Sequence, residues 1–366
     1  MQPRLLNFLA CPDCRSHELR LDILKQHRGR NGQREIEEGF LACPGCGERY
    51  AIKKGIVRML PRELRDAPTG GECGRVEHTM RTAHGYDIHH LRGKPNPSRG
   101  EGLPQGHAAN LDLARQYFRD YLALETEDLQ GLEGRAVLDA GCGGGRFMAV
   151  AHENGAADVV GVDLSVGGLQ RAQALLSGVR GIHLIQGDLT HPPLRPGTFD
   201  VVYSIGVVHH LAHPQVGFRT LESMLSPEGR LWVWVYGLEG MSLAYRLSHL
   251  VWLRRLTRSW SLEAKFRLCR LLALAFSCSY LFPLRLLRRL FPAAVAHRLP
   301  FTELKDASLE DTIYAFFDRL QPPYAHYLRK AELEACLTGL DRVSVQSPNK
   351  RGWVVKGQQA RRGNNR

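Results

Sequence analysis

The chain has 366 residues, is 43% hydrophobic and 23% charged, and carries a formal net charge of +12. That composition excludes a wholly disordered or fibrous chain, and the length allows one large domain with appendages or two to three smaller ones. No uncharged apolar run reaches the roughly 18–20 residues of a membrane span, and Met1-Gln2-Pro3-Arg4-Leu5 lacks the apolar core of a signal peptide. The sequence therefore predicts a cytoplasmic protein, whose nine cysteines point to metal binding rather than disulfides.

Residues 1–60 hold two CxxC pairs, Cys11-Pro-Asp-Cys14 and Cys43-Pro-Gly-Cys46, separated by 28 residues. Each tight knuckle aims two thiolates and nearby backbone N–H groups at one point, and two knuckles supply the four soft ligands that zinc prefers. Proline stiffens each knuckle, and Gly45 and Gly47 permit positive φ. The expectation is a structural zinc ribbon built on two short hairpins. Metal-free knuckles are the alternative; a redox role fits less well, because redox CxxC motifs normally occur singly.

Residues 61–110 are rich in Gly, Pro, Arg and His and are expected to be a linker. Its histidines (His78, His84, His89, His90 and His107) match no ligand spacing, and Cys73 stands alone. From residue 111 the pattern is α/β. Residues 111–124 and 147–153 have helical periodicity, and 168–176 are expected to be helical. Apolar strands are expected at 136–139, 158–163, 182–188, 199–204 and 231–236. This alternation predicts a doubly wound parallel sheet over 111–238. A helix at 330–337 and strands at 343–345 and 353–355 would complete it over 326–357 as an antiparallel edge hairpin.

The sharpest motif is Asp139-Ala-Gly141-Cys142-Gly143-Gly144-Gly145-Arg146. Glycines after a strand let the backbone turn tightly against a ligand, and the following helix offers free N–H groups. A dinucleotide fingerprint would need glycine where Arg146 stands. The acid Asp139 would repel a pyrophosphate but attract the ammonium of an amino acid. Asp163 ends the second strand, placed for ribose hydroxyls. Asp188 ends the third, placed for an adenine amino group. Three acids at three successive strand ends, with no P-loop lysine, describe S-adenosyl-L-methionine, whose sulfonium suits an acidic, aromatic-lined cleft.

These stretches resemble the class I S-adenosylmethionine-dependent methyltransferases: residues 137–146, 160–165, 186–189, 199–211 and the turn Ser226-Pro-Glu-Gly-Arg-Leu231. The resemblance covers about residues 112–236 and 326–357. It implies a Rossmann-like, seven-stranded methyltransferase sheet, with Gly141, Cys142 and Gly143 at the methionine part. Asp163 would meet the ribose, and Asp188 with the Leu189 backbone the adenine; Leu164 and Ser204 complete the expected set. Residues 1–60 resemble a second family, the small zinc ribbon that serves as activator subunit of tRNA, rRNA and translation-factor methyltransferases, here joined to its enzyme in one chain.

Residues 239–325 form an expected helical, basic insert. Between 239 and 300 stand eleven basic side chains against two acidic ones. Leu268, Leu271, Leu272, Ala275 and Phe276 follow helical spacing, and the uncharged stretch 271–284 reads as too short to span a bilayer. After Pro283, Arg285, Arg288 and Arg289 share one helical face and Leu286, Leu287 and Leu290 the other. Such a segment can be a lid over the acceptor, can touch an anionic membrane, or can contact RNA phosphates. The segment Pro323-Tyr324-Ala-His326 resembles an acceptor-side element of bacterial methyltransferases with inserts. His209, His210, Tyr324 and His326 are the candidates for a catalytic base, each with a packing role as its alternative.

The expected function is methyl transfer to a small-molecule, saccharide or lipid-linked acceptor, in the cytoplasm or at the inner membrane face. RNA methyl transfer is the second expectation, and a non-catalytic cofactor-binding partner of another enzyme is the third.

Overall fold

The structure is a computed structural model that describes residues 1–29, 32, 34–65, 111–239, 251–257, 259–290, 309–322, 324–348 and 352–360. The expected linker histidines and Cys73 lie outside the described residues. Among the described residues, those up to 239 and from 324 onward form one compact unit, and 251–322 form a second.

The first unit is organised by one 11-stranded sheet in the order β1-β2-β3-β4-β7-β6-β5-β8-β9-β11-β10. Its centre is parallel: β5 (Ala136–Ala140), β6 (Asp158–Asp163), β7 (Ile182–Gln186), β8 (Phe199–Ile205) and β9 (Leu225–Tyr236). Strands β5, β6 and β7 are apolar and almost entirely buried, as strands covered on both faces must be. Helix α1 (Leu111–Leu122), α2 (Arg146–Glu153), α3 (Val166–Leu175) and α4 (Pro214–Ser223) pack on it. Phe118, Phe199, Tyr203, Phe218 and Trp232 are fully or almost fully buried. Each such side chain contributes about 1.5–3 kcal/mol relative to exposure.

At one edge, α9 (Lys330–Cys336) leads into the antiparallel pair β10 (Leu340–Gln346) and β11 (Gly352–Gln359). At the other, β1 (Arg20–Arg28), β2 (Arg34–Ala42), β3 (Arg49–Lys53) and β4 (Ile56–Arg58) form an antiparallel meander. Strand β4 then pairs in parallel with β7, Val57 opposite Ile185 and Arg58 opposite Gln186. The seven-stranded sheet of the sequence reading is present, and the N-terminal ribbon extends it rather than hanging from it. Phe8 stacks on Phe199 at 5.5 Å, and Leu5, Leu9, Tyr50, Met59, Ile185 and Leu194 share one buried cluster.

Three details differ from the sequence expectation. The third strand ends at Gln186, so Asp188 stands in the following loop, where its carboxylate accepts from Thr190 N at 3.0 Å and from the Thr190 hydroxyl. A side chain that bonds the backbone two residues on favours a turn over a ladder. The first CxxC knuckle follows a 3-10 helix (Pro3–Asn7) and precedes β1, so only the second is a hairpin turn, between β2 and β3. In the second unit, helix continues on both sides of the uncharged stretch 271–284. The stretch Glu263–Leu286, 24 residues long, is long and apolar enough to cross a membrane by length and composition, and an 18-residue window within it has a mean hydropathy of 1.3.

Candidate functional site

The metal ligands come together as the spacing predicts. The sulfurs of Cys11, Cys14, Cys43 and Cys46 all lie within 4.8 Å of one another, with Cys14 to Cys43 at 3.4 Å and Cys11 to Cys46 at 3.6 Å. A tetrahedral zinc with Zn–S near 2.3 Å requires sulfur separations of about 3.8 Å, so the four fit. The two knuckles repeat each other. Arg15 N donates to Cys11 O at 2.9 Å, and Gly47 N to Cys43 O at 2.8 Å. Cys11 N donates to Ser16 O and Cys43 N to Glu48 O, both at 2.8 Å. Arg15 and Gly47 both have positive φ, 63° and 77°. Burial opposes ionisation of Cys43, yet the N–H groups of Cys46 and Gly45 and the neighbouring thiols bring it down to about 7. Tyr50, which sequence reading missed, lies with its hydroxyl 3.0 Å from the Cys11 sulfur and donates to Asp13 at 2.6 Å.

The cofactor candidates lie at the C-terminal rim of β5, β6 and β7. The turn after β5 needs its glycines: Gly141 has φ 91°, and a Cβ there would stand 2.3 Å from a Val207 methyl. Asp163 is buried and accepts from Gly143 N at 2.8 Å and Ser165 N at 2.7 Å, one bond on each oxygen. An ionised carboxylate has about four acceptor positions, so two remain for a pair of ribose hydroxyls. The donor set therefore fits S-adenosyl-L-methionine. Asp139 is buried, faces Tyr203 across the β5–β8 ladder and accepts its phenol proton at 3.0 Å. Burial, with Asp163 adding to it, pushes the Asp139 carboxyl up to about 8 against the pull of Tyr203 and Arg146. Tyr203 carried no sequence signal beyond its place in an apolar strand.

The other candidates divide. Asp188 and Leu189 sit together in the loop after β7 and are both buried. Leu164 offers its carbonyl to Gln186 Nε2 at 3.1 Å. Cys142 is buried beside Met148 and Gly161, and burial drives its thiol well above the usual range, which suits packing. Ser204 donates to Ala140 O at 2.7 Å, so the structure gives it the task of tying β8 to β5.

The four acceptor-side candidates are brought together at the ends of β8 and β9. His209 and His210 form a 3-10 turn, and Val207, which abuts the Gly141 turn, stands just before it. His326 N donates to His209 O at 2.9 Å, and the His210 ring pairs with Tyr324 O at 2.8 Å. His209 stacks on Tyr236 at 3.9 Å, and Tyr236 on Tyr327 at 5.4 Å. Trp234 meets Tyr236 edge-on at 5.6 Å. Burial lowers the His326 pKa from the ordinary histidine value. Sequence reading missed Tyr236, Trp234 and Tyr327; an aromatic cluster at a strand's C-terminal end was the available signal.

A doubly wound sheet with a glycine turn after its first strand and carboxylates at the next strand ends defines a class I S-adenosylmethionine-binding fold. The family comparisons agree. Residues 138–233 match the family described as "Methyltransferase domain", and residues 2–55 match "Trm112p-like protein". The chain carries a methyltransferase domain preceded by a Trm112p-like domain. It is 35% identical over 104 residues to a ubiquinone biosynthesis O-methyltransferase of Pectobacterium carotovorum, covering 28% of this chain and 43% of that one. It is 30% identical over 200 residues to a tRNA U34 carboxymethyltransferase of Desulfotalea psychrophila, covering 51% and 62%. A solved S-adenosylmethionine-dependent methyltransferase from Mesorhizobium loti is 33% identical over 35% of this chain and 56% of that one, with a TM-score of 0.31. The chain spans less than two thirds of the length of these curated relatives.

Proposed function

We propose that the protein transfers the methyl group of S-adenosyl-L-methionine to a small, saccharide or lipid-linked acceptor, and that zinc holds its N-terminal ribbon. The observation that carries this reading is the adjacency of the Gly141 turn to Val207, and so to the His209–His210 turn. That adjacency supports a donor site and a proton-accepting cluster side by side. The cofactor supplies an electrophilic methyl group on a sulfonium sulfur. The chain's own residues then do three things. Asp139, Asp163 and Asp188 hold the charged and hydroxylated parts at the rim. The Gly141–Gly143 backbone lets the ligand approach closely. His326, kept neutral by its setting, accepts the acceptor's proton, while the His210 contact with Tyr324 O and the His209 contact with His326 N hold the segment in place. In-line displacement depends mainly on positioning, so rigid support of this kind matters more than the strength of the base.

The ubiquinone-biosynthesis relative supports the small-molecule reading. The longer match to a tRNA-modifying relative favours a second reading, RNA methyl transfer. We place the protein in the cytoplasm or at the inner membrane face. Titration calorimetry with S-adenosyl-L-methionine should show micromolar binding, and label from the methyl donor should move into a solvent-extractable product of a cell extract. Label in acid-precipitable RNA would select the second reading. Cofactor binding without transfer to either pool would select a non-catalytic partner role, and absence of cofactor binding would reject all three.

A further inference from the structure

The second unit has a small apolar core and also exposes several large apolar side chains. Of the nine large hydrophobic side chains exposed among the described residues, eight lie between positions 252 and 309. Helix α6 (Leu262–Phe276) continues through a wide turn at Ser277–Leu281 into α7 (Phe282–Leu290), giving one long rod. Its inner face carries Phe266, Cys269 and Ala273, which are packed with Ile313, Phe316 and Phe317 of α8 (Leu309–Leu320). The rings of Phe266 and Phe317 meet at 5.7 Å. Its outer face carries Leu271, Leu274, Phe282 and Leu286, between 50% and 67% exposed. Arg267 and Arg270 stand at one end of this apolar strip and Arg285 at the other, all exposed. Before the rod, Trp252 and Leu256 lie one turn apart on α5 (Val251–Leu256), and Trp260 follows; all three are exposed.

We propose that this face is a docking surface for an anionic lipid bilayer, on which the rod lies in the interfacial plane. An exposed apolar strip of this size on a soluble unit marks an interaction site. Leucine and phenylalanine enter the acyl boundary, tryptophan favours the headgroup level, and arginine meets lipid phosphates. The rod lies flat because its inner face is held by α8. That helix carries Arg319, whose charge would have to follow the rod into hydrocarbon if it crossed. A second copy of the chain is a poorer occupant, since a symmetric pairing sets the basic ends of the strip against one another. This deepens the proposed function by naming the surface that supplies a lipid-linked acceptor. It rests on that reading for its purpose, while its test reads lipid binding without methyl transfer.

The test is co-sedimentation of the full chain with phosphatidylcholine vesicles and with vesicles that also contain phosphatidylglycerol. Retention on the anionic vesicles, release by high salt or alkaline carbonate, and little retention on pure phosphatidylcholine are expected. The quadruple variant Leu271→Ser, Leu274→Ser, Phe282→Ser, Leu286→Ser should abolish retention. Arg267→Gln, Arg270→Gln, Arg285→Gln, which leaves the apolar strip intact, should lower the partition coefficient roughly 100-fold. Undiminished cofactor binding by calorimetry checks that each variant has folded, and absent cofactor binding by the parent chain would sink the methyltransferase reading while leaving this one standing. Failure of the parent chain to sediment with anionic vesicles, or equal retention of the parent and the arginine variant, would overturn the proposal. So would resistance to carbonate extraction, which means the rod crosses, or a dimer that the quadruple variant converts to monomer without any vesicle binding.

Discussion

Arg15 donates from Nη1 to the Pro192 carbonyl at 2.7 Å, so a residue of the first metal knuckle holds the loop that carries Asp188. A second bond runs from Nη2 to Leu194 O at 3.3 Å, and Ala10 N donates to Pro193 O at 3.1 Å. The loop is thus fastened to backbone that the sulfur cluster itself shapes, since the positive φ of Arg15 belongs to the knuckle. Removing the metal with a chelator, or Arg15→Ala, should speed hydrogen exchange over residues 188–194 and weaken cofactor binding by about three- to tenfold, as loss of one or two hydrogen bonds implies. Unchanged exchange in that loop after metal removal would separate the ribbon from the cofactor site.

Asp163 is clamped by Gly143 N and Ser165 N, so it shapes the glycine turn as well as serving as the proposed acceptor for the ribose hydroxyls. Asp163→Ala removes a charged acceptor and leaves two buried N–H groups without a partner. Cofactor affinity measured by calorimetry should fall at least roughly tenfold, and the melting temperature should fall with it. Asp163→Asn should keep part of the stability and little of the binding.

Gly141→Ala tests the close approach at the turn. The added methyl would collide with Val207, and φ of 91° is strained for any side chain. A loss of about 1–3 kcal/mol in denaturant unfolding is expected. Adding Val207→Ala should recover the steric part and leave the backbone part.

Asp139 gives the protein a pH signature. Its folded pKa of about 8 lies above the unfolded value near 4. The folded state therefore holds a proton that the unfolded chain has released, and stability falls as pH rises from about 4 to about 8. Asp139→Asn should flatten that slope in melting curves. Pairing with the cofactor's ammonium needs the ionised form, so binding below pH 8 should release a proton, read as a dependence of calorimetric heat on buffer ionisation enthalpy. A buffer-independent heat would remove Asp139 from the ammonium site.

For His326 the lowered pKa places the acidic limb of the kcat/KM profile below the ordinary histidine range. On the proposed mechanism the neutral imidazole takes the acceptor's proton, so activity should rise as pH climbs through that limb and then level off. His326→Gln should lower kcat/KM and erase the limb. If the limb persists in the variant, the proton goes elsewhere in the cluster.

What the sequence determined by itself was chemistry that is local along the chain. Two CxxC knuckles, a glycine turn after a β-strand and acids at or just past the ends of successive β-strands each fix their geometry within a few residues, so the meeting of the four sulfurs and the rim positions of Asp139, Asp163 and Asp188 were legible. Alternation of β-strand and helix signalled the doubly wound sheet for the same reason. Tertiary structure alone decided what depends on register between distant segments. The pairing of β4 with β7 makes the ribbon part of the sheet, and the burial of Asp139 beside Asp163 raises a carboxylate's pKa against the pull of Tyr203. The histidines of β8's end meet a segment more than a hundred residues later. No local pattern encodes these, because a hydrogen-bonded ladder reads only backbone and burial, and those permit many partners until the whole core has closed.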